Sequence, residues 1–330
     1  MVCICIPNFN NICTISETLD SLIRQTYSNL IIKVFDNVSN DGSWEVIQKY
    51  SDKYSNIFAF QNSSNVGAEA NFTECIKGLE GEYGAIYHAD DLYHSSMVEE
   101  QVECLISNNI SAVFVKADII NSKSVIVREQ FFPATLKKSY YQFDFKQLFS
   151  LILKYDNFLI TPSVMARVDL YKNKIKSWNG YKFNTSADLD VWLRFSEIQD
   201  IGIITKKLMS YRLSESSYSY RNKFTRVTPR DMFLVLDFYI EKYKYLNLSL
   251  SDYKFLKFKD NVIVSSNKLL NSKNLACGDF EILSLPLTGC ILRSQKKIVI
   301  ILYAIMLNFL LCIKLRAVGL RLVKLASRGR

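Results

Sequence analysis

The chain has 330 residues, of which 49% are apolar, 22% charged and 13% aromatic, enough to bury a large core and unlike a disordered, collagen-like or peptide-sized chain. The formal net charge of +9 suggests nucleic acid until it is located. Nine of the 41 basic residues, and no acid, lie from Arg293 onward, so residues 1–292 balance at 32 basic against 32 acidic. The body has no basic excess, and nucleic acid is not an expected partner. Two histidines, His88 and His94, are too few for a three-His zinc site, and Gly-x-Gly-x-x-Gly and P-loop motifs are absent. The eight cysteines include no Cys-x-x-Cys pair of the zinc-ribbon or redox kind. They read as small buried hydrophobes in a reducing compartment, with Cys3 and Cys5 on one face of a strand. No charged-then-apolar segment opens the chain, so the cytoplasm is the default location.

In chain order, Val2–Ile6 is a continuous apolar run and reads as a buried strand. Thr14-Ile15-Ser16-Glu17 has capping-box spacing and opens a helix carrying Leu19, Leu22 and Ile23. Leu30–Phe35 is a second strand, stopped by the turn chemistry of residues 36–42. A helix with Trp44, Ile47 and Tyr50, a strand over Ile57–Phe60, a helix with Phe72, Cys75 and Leu79, and a strand over Gly84–His88 follow. Alternation at this spacing means βαβ units and a parallel sheet with helices on both faces. Ligands of such sheets bind at the carboxyl ends of strands. There the sequence places Asn8 and Asn10, Asp36 and Asn37, Asn65, and Asp90 and Asp91. Past a strand over Ser111–Ala117, helices are expected over Phe143–Lys154 and Ala187–Ile198, a strand over Ile201–Tyr211, a mobile loop over Ser214–Asn222, and helix from Thr228 to about Leu270.

The tail is of another kind. Ile298–Ile313 is apolar apart from Asn308, and at about 1.5 Å per residue it spans roughly 24 Å, short of a hydrocarbon core of about 30 Å. A stripe of Leu315, Val318, Leu322 and Leu325 follows, with Arg316, Arg321, Lys324 and Arg328 mostly away from it. A basic amphipathic helix beside a short apolar one suits an anionic membrane surface. The alternative is that Ile298–Ile313 is a buried helix of the fold.

Cys5-Ile6-Pro7-Asn8-Phe9-Asn10, Gln25-Thr26-Tyr27-Ser28-Asn29-Leu30 and Phe35-Asp36-Asn37-Val38-Ser39-Asn40-Asp41-Gly42-Ser43 resemble the opening of family 2 glycosyltransferases. Asn65-Val66-Gly67, Glu80-Gly81-Glu82-Tyr83, Ala89-Asp90-Asp91-Leu92-Tyr93, Ala187-Asp188-Leu189-Asp190-Val191-Trp192 and Tyr211-Arg212 continue the pattern in order, to about residue 220. The resemblance implies a GT-A fold and transfer of a sugar from a nucleotide donor with inversion. It also implies a divalent cation, Mn2+ or Mg2+, on Asp91 with Asp90 beside it near the donor ribose and phosphates, and Asp188 as general base. Pro7, Phe9, Asn10, Asp36, Asn37, Asn65, Gly67 and Asn71 would line the nucleotide-sugar pocket, with Phe9 stacking near the base. Residues 1–220 form the expected catalytic domain, nucleotide-binding over about 1–118 and acceptor-binding over about 119–220. A helical extension over 221–290 and a membrane-associating tail over 291–330 complete it. Bacterial relatives commonly extend lipid-linked surface polysaccharides such as O-antigen or capsule, which implies a lipid-linked saccharide acceptor and a peripheral position on the cytoplasmic side of the inner membrane.

The chemistry agrees with that resemblance. A departing diphosphate gathers negative charge that a carboxylate-held cation neutralises, and one or two protein carboxylates suffice. An acceptor hydroxyl needs a base, usually a carboxylate. Asp190, roughly 200° round the helix from Asp188, points elsewhere and caps or pairs structurally. Trp192 stacks on a sugar or packs in the core, and the core is favoured. Three departures stand out. Asn37 occupies a common Asp position and can donate as well as accept, which leaves the donor base open between uracil and cytosine. His88 stands where many members carry the first Asp of Asp-x-Asp, either as a ribose or phosphate contact or as a satisfied strand-end histidine. Ala187 replaces a common Glu. Alternatives are a cap of the helix beginning near Ser95 for the Asp pair, a non-catalytic sugar-binding protein on a decayed transferase scaffold, and a nucleotidyltransferase, disfavoured because no Gly-rich triphosphate loop opens the chain. Sugar choice is expected from loops such as Tyr155–Val164 and Ser214–Asn222.

Overall fold

A computed structural model describes residues 1–213, 226–248, 250–271, 295–313 and 315–328. The loop expected over Ser214–Asn222, Cys277 and Cys290 lie outside the described residues. The chain forms two compact units, residues 1–151 with 157–214, and residues 152–156 with 215–330.

In the first unit, β1 (Val2–Asn8) is buried nearly throughout because helices cover both of its faces. It pairs in parallel with β2 (Leu30–Asp36) and β4 (Tyr83–Ile86), and β2 pairs in parallel with β3 (Ile57–Gln61). Val2, Ile4 and Ile6 share a core with Ile15, Leu19 and Leu22 of α1 (Ile15–Ile23), Ile47 of α2 (Ser43–Lys53), and Met97 and Val98 of α4 (Met97–Ser107). Cys3 and Cys5 share the other face, as their spacing predicts. Their Sγ atoms are 3.9 Å apart, and Cys3 meets the Gly78 carbonyl at the end of α3 (Ala68–Gly78).

The sheet is mixed and mostly parallel along its long strands, with helices on its faces, as a GT-A fold requires. Its main order is β3-β2-β1-β4-β9-β6-β10-β5. The strand β9 (Val164–Arg167) lies antiparallel between β4 and β6 (Ala112–Ile120). Two reversals restore direction, so β6 and β10 (Ile201–Arg212), parallel to one another, run the same way as β4. Short antiparallel strands β5 (Leu92–Tyr93), β7 (Ile126–Glu129) and β8 (Tyr140–Phe143) finish the margins. Four residues give too little periodicity for β9 to be read from the sequence. The carboxyl ends of β1, β2, β3, β4, β6 and β10 therefore share one edge with the amino end of β9.

Helix α5 (Phe145–Tyr155) and the short helices α6 (Val168–Leu170) and α7 (Gly180–Phe183) precede α8 (Ala187–Ile198), whose bounds match the expectation. Trp192 is fully buried, edge-on to Phe114 and Trp178, and so belongs to the core. Three local expectations fail. Residue Thr14 makes no side-chain cap. Its hydroxyl donates instead to the carbonyls of Asn11 and Ala89, while Glu17 turns to Arg212, so tertiary partners win over the capping box. Strand β4 stops at Ile86, leaving His88 in the connection that follows. Cys3, Cys5, Cys75 and Cys104 are buried free thiols, but Cys13 is exposed and Cys312 is disulfide-bonded.

In the second unit, the long helical expectation resolves into helices Met232–Lys242 and Leu250–Leu270 with a 3-10 turn, Lys244–Leu246, between them. Buried Asp260 accepts from both Arg226 and Arg230, and Arg230 also pairs with Asp156. The tail forms helices Gln295–Cys312 and Arg316–Arg328. Ile301, Ala304, Leu307 and Val323 are buried in a cluster with Phe255, Phe258, Val262 and Leu269. The opposite face of the first tail helix stays exposed at Val299, Leu302, Ile305 and Phe309. Ile298–Ile313 is thus packed on one side only. Among the described residues, no helix is long and apolar enough to cross a membrane.

Candidate active site

The turn after β4 is fastened by its own carbonyls, which must be satisfied once they leave the sheet. Ala89 O accepts from Thr14 Oγ1 (3.1 Å), Asp90 O from Arg212 Nε (2.6 Å) and Asp91 O from Thr18 Oγ1 (2.8 Å). Tyr93 Oη accepts from the His88 N–H at 2.8 Å. Arg212, at the end of β10, is almost fully buried; its guanidinium also reaches Glu17 (2.8 Å), the Ser124 hydroxyl (3.0 Å) and the Asn121 carbonyl (3.2 Å). One cation therefore joins α1, the β6–β7 turn, the end of β10 and the Asp90-Asp91 turn.

Within that frame the ligand-bearing atoms of His88, Asp90 and Asp91 lie within 4.8 Å of one another. The Asp91 side chain is fully buried. Its Oδ1 accepts from the Arg212 N–H at 2.7 Å, whereas among the described residues Oδ2 has no hydrogen-bond partner and sees His88 Nδ1 only at 3.7 Å. His88 Nε2 also lacks a hydrogen-bond partner among the described residues, unlike a satisfied strand-end histidine. Burial, reinforced by the charge of Asp90, pushes the Asp91 carboxyl well above the usual carboxylate range, against the pull of Arg212. Burial lowers the His88 pKa, with Asp90 opposing, which favours a neutral ring able to act as a ligand. Two orphaned buried atoms and an adjacent carboxylate are a donor set that a divalent cation fits.

Asp188, in the first turn of α8, is half-buried. Thr161 Oγ1 donates to its Oδ2 (2.8 Å) and the Leu189 N–H to its Oδ1 (2.7 Å). Burial raises its pKa, with those hydrogen bonds opposing. Thr161 lies in the 3-10 turn leading into β9, whose amino end abuts the carboxyl end of β4. Asp188 thus belongs to the same edge as the 88–91 turn. A buried relay ties the two segments, since Tyr87 Oη donates to Gln101 Oε1 (2.6 Å) and Gln101 Nε2 to Ser163 O (2.9 Å). Asp190 is buried and paired structurally, accepting from Asn179 Nδ2 and Arg194 Nε, both at 2.9 Å. Arg194 also donates to the carbonyls of Ile175 and Ser177.

The other rim residues are bound mainly to one another. Asp36, fully buried, accepts from Asn8 Nδ2 (2.8 Å), the Ser39 hydroxyl (2.5 Å), the Ser39 N–H (3.0 Å) and Gln61 Nε2 (3.0 Å). A base contact from Asp36 would have to displace one of these donors. Asn37 donates to Asn65 Oδ1 and accepts from Asn62 Nδ2 and the Val66 N–H. Its amide thereby fixes the loop into Gly67, which has φ 85°. Asn71 donates to Phe35 O and accepts from Asn62, tying α3 to the end of β2. Asn10, at φ 55°, accepts from the Asn40 N–H; Pro7 is half-buried, and Phe9 is exposed and open to stacking. Sequence reasoning gave no part in the site to Arg212, Glu17 or Thr161, reading Glu17 as a helix cap and Arg212 only as part of the family pattern. Only Arg212 left a signal, as a cation at a strand end, and its partners are set by tertiary structure.

That edge, with a carboxylate turn after the fourth strand and a further acid at the head of a later helix, agrees with the GT-A arrangement that the sequence resemblance implies. The model of the family described as glycosyl transferase family 2 matches residues 3–171. The chain belongs to that family; it is a glycosyltransferase with an α/β GT-A fold. It is 28% identical over 226 residues to the UDP-Glc:alpha-D-GlcNAc-diphosphoundecaprenol beta-1,3-glucosyltransferase WfgD of Escherichia coli, covering 68% of this chain and 81% of that one. It is 23% identical over 248 residues to the putative glycosyltransferase EpsE of Bacillus subtilis, covering 74% and 82%. The crystal structure of S. aureus TarS 1–349 in complex with UDP-GlcNAc superposes with a TM-score of 0.57 at 15% identity, over 99% of this chain and 91% of that one, a likeness of fold.

Asp190→Ala leaves the Arg194 guanidinium without its carboxylate and is expected to destabilise the protein by about 3–5 kcal/mol in urea unfolding, far more than an exposed substitution.

Proposed function

We propose that this glycosyltransferase moves a sugar, with inversion, from a nucleoside diphosphate donor to a hydroxyl of a lipid-linked saccharide. The observation that carries the reading is that His88, Asp90, Asp91 and Asp188 belong to one sheet edge, with unpartnered buried atoms at His88 and Asp91. The relatives support the donor and acceptor classes, since WfgD is named for UDP-glucose and a diphosphoundecaprenol-linked acceptor. A divalent cation held by His88, Asp90 and Asp91 would supply charge neutralisation to a departing diphosphate. Phe9 offers a stacking face for the base, and the loops of Asn10, Asn65 and Gly67 border the donor. Asp188 Oδ atoms, oriented by Thr161 and the Leu189 N–H, take the proton of the acceptor hydroxyl as it attacks the anomeric carbon.

The same reading puts the protein at the periphery of the cytoplasmic face of the inner membrane, and the tail supports it. The exposed Leu302, Ile305 and Phe309 form an apolar face beside a basic sequence, as suits an anionic lipid surface.

Asp188→Asn is expected to lower kcat by about 10²–10⁴-fold with little change in donor KM. A base must be ionised, and the Asp188 pKa is raised, so activity of the parent protein falls on acidification at a pH above the ordinary aspartate value of about 3.9. The residual activity of the Asn variant lacks that limb; an unchanged pH–kcat profile contradicts the assignment. The full chain is expected to co-sediment with vesicles rich in phosphatidylglycerol, less with pure phosphatidylcholine and less in high salt. Leu302→Ser with Phe309→Ser weakens this, whereas equal sedimentation of parent and variant overturns the attachment.

A further inference from the structure

A cavity of about 620 Å³ lies apart from the His88–Asp91 cluster, between α3 and the segment from Trp178 to Thr185. One wall runs along α3 from Val66 to Lys77. The other contains α7 and ends three residues before Asp188. The cavity thus begins beside the Asn65–Gly67 loop on one wall and the base-bearing helix on the other. Its far wall is held rigidly, because Asn179 donates to buried Asp190 while Arg194 grips the carbonyls of Ile175 and Ser177. The two walls meet at Gly180, where an added Cβ would stand 2.3 Å from Glu69 Cγ; a residue without a side chain lets the segment approach α3 this closely.

The lining has a definite chemistry. Trp178 forms the floor, stacked on Phe72 with centroids 4.8 Å apart, and Phe72 meets the His88 ring edge-on at 5.7 Å. Tyr181 lines the cavity with 90% of its surface exposed, an aromatic side chain that packing does not account for. Glu69 and Glu74 contribute carboxylates, and Lys77 is already paired with Glu74 at 2.7 Å. Two acids against one paired base disfavour a phosphate or diphosphate. An exposed aromatic face beside carboxylates instead matches a neutral sugar ring, whose C–H face packs on the ring while its hydroxyls donate to the acids. From Glu69 to Lys77 the α3 wall is about 12 Å long at about 1.5 Å per residue, more than one ring needs.

We infer that this groove binds uncharged sugar units of the acceptor glycan beyond the unit that receives the new sugar. The inference rests on the saccharide acceptor proposed above. The test uses saturation-transfer NMR on the full chain with chitotriose, cellotriose and maltotriose as probes and inorganic pyrophosphate as an anionic competitor. At least one trisaccharide is expected to bind, without competition from pyrophosphate. Affinity is expected to fall fivefold or more in both Tyr181→Ala and Glu69→Gln, each checked for fold by circular dichroism. Binding by none of the three, or equal binding by parent and variants, overturns the groove. Hydrolysis of a nucleotide sugar by the parent protein is measured separately. If it proceeds while no trisaccharide binds, the groove alone fails; if trisaccharides bind at Tyr181 but no donor is turned over, the transfer reading fails and the groove stands.

Discussion

The site is organised around one carboxylate, Asp91, that the fold buries completely while satisfying only half of it. The Arg212 N–H holds Oδ1, no described residue holds Oδ2, and the neighbouring Asp90 adds a like charge. A carboxylate in that position is costly as an anion unless a cation joins it. Everything around it acts to keep the arrangement from relaxing. Thr14 just before α1 and Thr18 on α1 take two carbonyls of the turn, Arg212 takes the third, and Tyr93 takes the His88 N–H. The energetic demand at Asp91 is thus sustained by ordinary hydrogen bonds at neighbouring atoms, as preorganised electrostatic sites require.

A second consequence follows from β9. Because it runs against β4, its amino end meets the carboxyl end of β4, and the Thr161 hydroxyl just before it orients Asp188. A purely parallel sheet would have put that connection at the opposite edge. The reversal brings an acid from the later half of the chain to the rim built by the first half. The pair Asp190–Arg194 then anchors the segment preceding α8, which forms the wall of the groove lined by Tyr181.

Much of this was legible in the sequence. The β1–β4 strands, the helices between them and the bounds of α8 follow from apolar periodicity, and the strand-end acids follow from the rule that βα loops gather at one edge. What escaped depended on partners far away in sequence. The four-residue β9 has no period to detect, Thr14 and Glu17 exchange a local capping box for tertiary bonds, and the burial of Arg212 arises from contacts with Glu17 and residues 121–124. His88 read as a departure from a motif, yet its unpartnered ring nitrogen, visible only in three dimensions, turns it into a ligand candidate. The tail's apolar run was legible as a short helix, but not that Ile301, Ala304 and Leu307 bury one face and leave the other bare.

The most direct measurement is Mn2+ binding to the full chain, followed by the electron paramagnetic resonance of free Mn2+ in the presence of a nucleoside diphosphate. The account predicts binding that weakens at least tenfold in Asp91→Asn, a variant that keeps the side chain's shape and removes its charge. It also predicts proton release on binding by the parent protein, because the Asp91 carboxyl is raised by burial before the ion arrives. Equal Mn2+ affinity in parent and variant, or no Mn2+ binding by the parent, would contradict it.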